Sequence, residues 1–204
     1  MEKSIVDYDY KLKILLVGDN QTGKSSIVSR YCDETFIENG IYWHGIEIKI
    51  KTLELNKKNH NDKVKVGLLI LDGNGGYRFK EIIRDCYFKH QHGYILLYDV
   101  TNIESFNNLS KWISEIKNQY KTTNLYPSPE PIFFIVGNKF DLKESIVVDS
   151  KMAQQYCDSL SIQSIHNVSA KENFNVDMIF QNLSQLIMNT YPPNPIEKKS
   201  NEIH

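Results

Sequence analysis

Apolar and polar positions follow two alternating rhythms along almost the whole chain. Tyr10 to Val17 closes on the continuous run Ile14-Leu15-Leu16-Val17 and predicts a buried strand. Ser25 to Tyr31 is amphipathic and predicts a helix. Asp33 to Gly45 has little periodicity and carries Asn39-Gly40, a loop signature. Ile46 to Leu55 alternates through Ile46, Ile48 and Ile50 and then Leu53 and Leu55, as a half-exposed edge strand does. The polar turn Lys57-Lys58-Asn59-His60-Asn61-Asp62 leads to a further strand, Val64 to Leu71, so the pair reads as an antiparallel hairpin. A second Gly-rich break, Asp72 to Gly76, precedes a helix reaching Phe88. Tyr94-Ile95-Leu96-Leu97-Tyr98 is apolar throughout, the mark of a parallel strand buried on both faces. Thr101-Asn102-Ile103-Glu104 has capping-box spacing, and Phe106, Leu109, Ile113, Ile116 and Tyr120 then share one helical face. Pro127, Pro129 and Pro131 stiffen the loop before a strand from Ile132 to Val136. Asp149 predicts the N-cap of a helix to Leu160, and Ile162 to Val168 a short last strand. Val176, Ile179, Phe180, Leu183, Leu186 and Ile187 mark a final helix, which Pro192-Pro193-Asn194-Pro195 ends.

Strand and helix alternate without repeat or internal linker. This predicts an α/β fold, a mostly parallel sheet with one antiparallel edge strand and helices on both faces. Residues 1–9 read as a loose arm, 10–190 as one domain and 191–204 as a proline-rich polar tail. The 204 residues suffice for one substantial core. Charge is balanced, 24 basic against 25 acidic residues, so no global field draws the chain to nucleic acid or anionic lipid. The three cysteines, Cys32, Cys86 and Cys157, are far apart and fit a reducing compartment. No apolar run is long enough to span a bilayer and Met1 to Tyr10 is polar, which predicts a soluble, cytoplasmic protein.

The chemistry concentrates in loops that follow strands, where parallel sheets bind their ligands. Gly18-Asp19-Asn20-Gln21-Thr22-Gly23-Lys24-Ser25 fits Gly-x-x-x-x-Gly-Lys-Ser between a strand and a helix. In that setting backbone N–H groups and the helix N-terminus converge on an anion. Asn20, Gln21, Thr22 and Gly23 would wrap the phosphates, Lys24 would lie along the β- and γ-phosphates, and the Ser25 hydroxyl would ligate Mg²⁺. Asp72-Gly73-Asn74-Gly75 offers a carboxylate to Mg²⁺ through water and the Gly75 amide to a γ-phosphate. In Asn138-Lys139-Phe140-Asp141, Asp141 can accept from both N1–H and the N2 amine of guanine, donors that adenine lacks. In Ser169-Ala170-Lys171 the Ala170 amide can donate to guanine O6. Taken singly, Asn138 and Asp141 could equally cap a turn. Four such motifs in order, each at a strand end, are highly specific and argue against an ATP-using kinase of the same loop type. By comparison, His90-Gln91-His92 is a weak metal motif. The lysines Lys57, Lys58, Lys63 and Lys65 read as a solvated hairpin tip rather than a lipid contact.

With these motifs, and with Arg30-Tyr31, Lys49 to Leu55, Tyr98-Asp99-Val100-Thr101 and Glu104 to Asn108, the chain resembles the Ras superfamily of small GTPases, and within it the Rab family. The resemblance covers residues 10 to 190. It implies six strands, five helices, GTP and GDP as ligands with Mg²⁺, and two switch segments, here about 33–45 and 72–88, that effector and regulator proteins read. It also implies that Phe36 packs on the guanine ring, Lys139 lies along the base and Ser26 contacts the α-phosphate.

Four departures qualify what the resemblance implies. Trp43 stands where the family has the first-switch Thr, and an indole cannot ligate a cation. Gly76 stands where the family has the Gln that orients the attacking water, which adds Gly75 and Gly76 to the catalytic positions of interest. Gln21 replaces the usual Gly, where it would either strain the loop or bond a phosphate. The chain ends Asn201-Glu202-Ile203-His204, with no Cys for a prenyl anchor, so either the protein is not lipidated or more sequence follows. The expectation is a Rab-like switch in vesicle traffic with slow GTP hydrolysis. The alternative is a pseudo-GTPase that holds nucleotide as a structural ligand.

Overall fold

A computed structural model describes residues 8–38, 46–56, 62–73, 91–121, 130 and 132–196. The helix expected up to Phe88, the Asn39-Gly40 turn, residues 57–61 of the hairpin turn and the three prolines at 127, 129 and 131 lie outside them. The described strands are β1 (Tyr10–Val17), β2 (Ile46–Asn56), β3 (Lys63–Gly73), β4 (Gly93–Asp99), β5 (Ile132–Asn138) and β6 (Gln163–Ile165). They form one sheet in the order β2-β3-β1-β4-β5-β6, and every neighbouring pair is parallel except β2 with β3. The helices are α1 (Lys24–Asp33), α2 (Ile103–Asn107), α3 (Leu109–Lys121), α4 (Ser150–Leu160) and α5 (Val176–Thr190).

Period-two alternation divides the core. Leu12, Ile14 and Leu16 of β1 face one way and pack with α1 and α5, while Leu15 and Val17 face the other and pack with α2, α3 and α4. On the first side the rings of Tyr31 and Phe180 stack at 3.9 Å between centroids, tying α1 to α5. The apolar pattern of the edge strand β2 changes phase midway. Ile48 and Ile50 are exposed, whereas Leu55 is buried and Leu53 packs against the core. Lys49, paired with Asp33 at 2.8 Å, and Lys51, which donates to the Tyr31 carbonyl, share the face of Leu53 and Leu55, so it is the residue pattern and not the strand that changes phase.

Local detail departs from the sequence expectation at several points. The N-cap of α2 is Asn102, not Thr101: its side chain accepts from the amides of Glu104 and Ser105. Asn is the stronger cap, and Thr101 is engaged elsewhere, donating its N–H and hydroxyl to Asp99 Oδ1. The face from Phe106 to Tyr120 spans two helices meeting at Asn108, with Phe106 on α2 and the rest on α3. The final strand is only Gln163–Ile165, because its pairing with β5 ends at Val136↔Ile165. Residues 8 and 9 belong to the body of the domain: Asp9 donates its N–H to the Lys65 carbonyl at 2.8 Å and accepts from the Lys65 amide at 2.9 Å. His92 accepts from the Lys13 amide through Nδ1 at 2.9 Å, which accounts for it structurally. Asp149 caps α4 as expected, accepting from the Met152 amide. No described helix is long and apolar enough to cross a membrane.

Candidate functional site

The loop between β1 and α1 is shaped by two glycines. Gly18 has φ +149°, and a Cβ there would lie 2.2 Å from the carbonyl oxygen of Leu97 on β4. Gly23 is the N-cap of α1 with φ +93°, and a Cβ would lie 2.3 Å from Asn138 Nδ2. As glycine, Gly23 offers no capping side chain, and the first turn of α1 carries no acidic residue. The helix therefore presents its first amides and its positive end to whatever lies above the loop. Thr22 is buried and donates its hydroxyl to the Asp19 carbonyl at 3.0 Å, while Asn20, Gln21 and Ser25 are exposed and Ser26 is half-buried.

Gln21 has φ +65°, the left-handed region in which a side chain costs energy, and its side chain is exposed. This supports the strain reading of the two that the sequence left open. Gln21→Gly is expected to raise the unfolding free energy by about 1 kcal/mol, read as a higher midpoint in urea. A lower midpoint would show that the Gln side chain holds the loop.

Beneath the loop lie two opposite charges. Lys24 is 5 % exposed and donates Nζ–H to the carbonyls of Gly18 at 3.0 Å and Asp19 at 2.7 Å. Burial pulls its ammonium down to about 8, against the attraction of Asp72 and Asp19. Asp72, at the end of β3, is likewise buried, and burial raises its pKa despite a hydrogen bond from Ser25 and the charge of Lys24. Among the described residues its Oδ1 is a buried acceptor without a hydrogen-bond partner. An orphaned carboxylate oxygen next to a hydroxyl is the donor set a hydrated Mg²⁺ takes, so these residues fit the metal that the sequence implied. Gly75, Gly76 and Trp43 lie outside the described residues.

On the other flank the motifs around Asn138 and Ser169 meet. Asn138 donates Nδ2–H to the Thr22 carbonyl at 2.9 Å, and its Oδ1 accepts from the Ala170 amide at 3.2 Å. It thus joins the phosphate loop to the loop after β6, a longer reach than a turn cap has. Ser169 donates its hydroxyl to Asp141 Oδ1 at 2.6 Å and accepts from the Glu172 amide at 3.0 Å, fixing the carboxylate of Asp141. Lys139 has φ +67°, and its ammonium pairs with Asp99 Oδ2 at 2.6 Å. Phe36 is half-buried and packs against the α1/α5 core, with the Arg30 guanidinium 5.9 Å from its ring centre. Lys171 pairs with Glu38 at 2.8 Å, both well exposed.

Sequence reasoning missed several residues of this neighbourhood. Asp19 is held by α3, its carboxylate accepting from Asn108 Nδ2 at 2.7 Å and from the Trp112 indole at 2.9 Å. Arg30 spends its guanidinium on three carbonyls, those of Ala170, Glu34 and Lys171. Asp99 enters the sequence reading only through the family-like tetrapeptide Tyr98-Asp99-Val100-Thr101.

Comparison with known proteins fits this geometry. Residues 13–189 match the Ras family profile. The chain is 65 % identical over 198 residues to Ras-related protein RabS of Dictyostelium discoideum, covering 95 % of this chain and 90 % of the relative. It is 37 % identical over 181 residues to GTP-binding protein ypt1 of Schizosaccharomyces pombe, covering 89 % and 82 %. GTP-binding protein YPTM1 of Zea mays is 36 % identical over 181 residues, covering 89 % and 80 %. A glycine-shaped loop between strand and helix, Lys24 and Asp72 buried below it and a family match over nearly the whole domain lead to one assignment: the chain belongs to the Ras superfamily of small GTPases and, within it, to the Rab family.

Proposed function

We propose that this protein is a guanine-nucleotide switch that binds GTP and GDP with Mg²⁺ and hydrolyses GTP slowly. The observation that carries the reading is the burial of both Lys24 and Asp72, with Asp72 Oδ1 lacking a hydrogen-bond partner among the described residues, below the uncapped N-terminus of α1. The loop amides and Lys24 hold the phosphates, with Ser26 reaching the α-phosphate. Ser25 and Asp72 hold the metal, Asp72 through water. Bound Mg²⁺ supplies positive charge that neutralises the phosphate oxygens during transfer. Asp141, oriented by Ser169, accepts from the guanine N1–H and N2 amine. The Ala170 amide turns from Asn138 Oδ1 to guanine O6, Phe36 covers one side of the ring, and the stem of Lys139 supports the other while its head stays on Asp99.

Slow turnover follows from what two positions lack. Gly76 has no side chain with which to place a water, and Trp43 offers no oxygen to the metal. Losing one positioning group removes on the order of 2–4 kcal/mol of transition-state stabilisation, a factor of tens to about a thousand. The same two residues favour a second reading, a pseudo-GTPase whose nucleotide only stabilises the fold. Membership of the Rab family further suggests a role in vesicle traffic, on the cytoplasmic side of membranes and through effectors and regulators that touch residues 33–45 and 72–88.

The test is to load the protein with GTP and Mg²⁺ and identify the bound nucleotide by chromatography over several hours. The expected result is gradual conversion to GDP, quickened at least about tenfold by Gly76→Gln. GTP retained by both proteins would support the pseudo-GTPase instead.

A further inference from the structure

Arg30 lies on α1, one turn and a half beyond Lys24, and belongs to none of the four nucleotide motifs. Its side chain nevertheless makes three bonds to backbone carbonyls from two distant parts of the chain. Nε donates to the Ala170 carbonyl at 2.9 Å and Nη2 to the Lys171 carbonyl at 3.2 Å, both in the loop after β6. Nη1 donates to the Glu34 carbonyl at 2.9 Å, at the C-cap of α1 where the chain turns toward Phe36. The same guanidinium stands 5.9 Å from the Phe36 ring centre. A planar fork with fixed donor directions can hold three such acceptors at once, whereas an ammonium is a point charge that cannot reproduce the set.

We propose that Arg30 is a positioning and base-specificity residue, a clamp that makes the loop of Ala170 and the segment of Phe36 move as one body around the guanine base. This inference rests on the guanine-binding reading above. The Ala170 amide can meet O6 only if its loop stays seated beside the base, and Arg30 holds the two peptides that follow that amide by the Ala170 and Lys171 carbonyls. Phe36 can cover the ring only if the turn at Glu34 holds, and Arg30 grips the carbonyl there. Release of the base then requires both attachments to yield together. The second link between the same two segments, Lys171 with Glu38, is an exposed ion pair, and such pairs contribute little. The clamp is therefore assigned to Arg30 and not to that pair.

The experiment measures dissociation of fluorescently labelled GDP and ADP, with Mg²⁺, from the wild-type protein, Arg30→Lys and Glu38→Gln. Arg30→Lys is expected to release GDP about ten- to a hundredfold faster and to quicken ADP release, which loses the Phe36 contact but has no O6 contact to lose, by a clearly smaller factor, and so to lower the preference for guanine. Glu38→Gln is expected to match the wild type. Equal acceleration for both nucleotides would mean general loosening and would overturn the clamp, as would unchanged GDP release. A wild-type protein with no preference for GDP over ADP would instead overturn the guanine reading and the clamp with it. Should Arg30→Lys fail to fold, hydrogen exchange on the wild type decides. GDP should protect the amides of residues 34–38 and 170–172 to the same degree and with the same concentration dependence. Protection of one segment without the other would refute the clamp.

Discussion

Gly18→Ala is expected to lower the unfolding free energy by about 3 kcal/mol or more. The new Cβ would sit 2.2 Å from the Leu97 carbonyl oxygen and 3.2 Å from its carbon, well inside contact distance. Those atoms are backbone of β4, which pairs with β1 on one side and β5 on the other, so neither can move without breaking the sheet. The residue also holds φ +149°, which side chains rarely adopt. A small domain has only about 5–15 kcal/mol in total, so the variant should unfold at a far lower urea concentration and recover poorly after purification. A midpoint within about 1 kcal/mol of the wild type would show that the loop can lift away from β4, and the rigid-cradle account would fall.

Lys24→Met is expected to lower GDP affinity at least about a hundredfold while leaving the nucleotide-free protein close to its normal stability. The two halves of this expectation have different causes. Phosphate loses a charged donor that nothing else in the loop replaces. The fold loses two hydrogen bonds, to the Gly18 and Asp19 carbonyls, but is also relieved of a buried cation whose desolvation pulls its pKa down to about 8. These contributions oppose each other. Asp72 loses one of the charges that favour its ionised form, so its pKa should rise further. Titration with labelled GDP and a thermal melt without nucleotide read the two halves separately. Affinity equal to the wild type would remove Lys24 from the phosphate site.

Much of this was legible in the chain because the information is local. The loop from Gly18 to Ser25 is eight consecutive residues between a strand pattern and a helix pattern, so its position and proposed use can be read without a fold. The strands β1, β4 and β5 announce themselves as apolar runs, and the hairpin by alternation on both sides of a polar turn. The errors arise where two local options compete or where a partner decides. Thr101 and Asn102 both suit a cap, and only the contacts of Asp99 show which is free. The length of β6 is set by where β5 stops pairing, which no run of residues within β6 records. The links from Arg30 to Ala170 and from Trp112 to Asp19 span 140 and 93 positions, so neither leaves a pattern within reach of a motif.

Asn138 carries a consequence for how such a protein can change over time. Its two amide bonds, to Thr22 and Ala170, splice the cradle for phosphate to the loop beside the base. Among the described residues these bonds, with those of Arg30, Ser169 and Lys24, run between α1, the loop before it and the loops after β5 and β6. On the proposed function, the parts that grip thus hold one another in place. A lineage built on this frame can lose its clock by single substitutions and keep its handhold, leaving a protein whose state is governed by how fast nucleotide is exchanged rather than by how fast it is consumed.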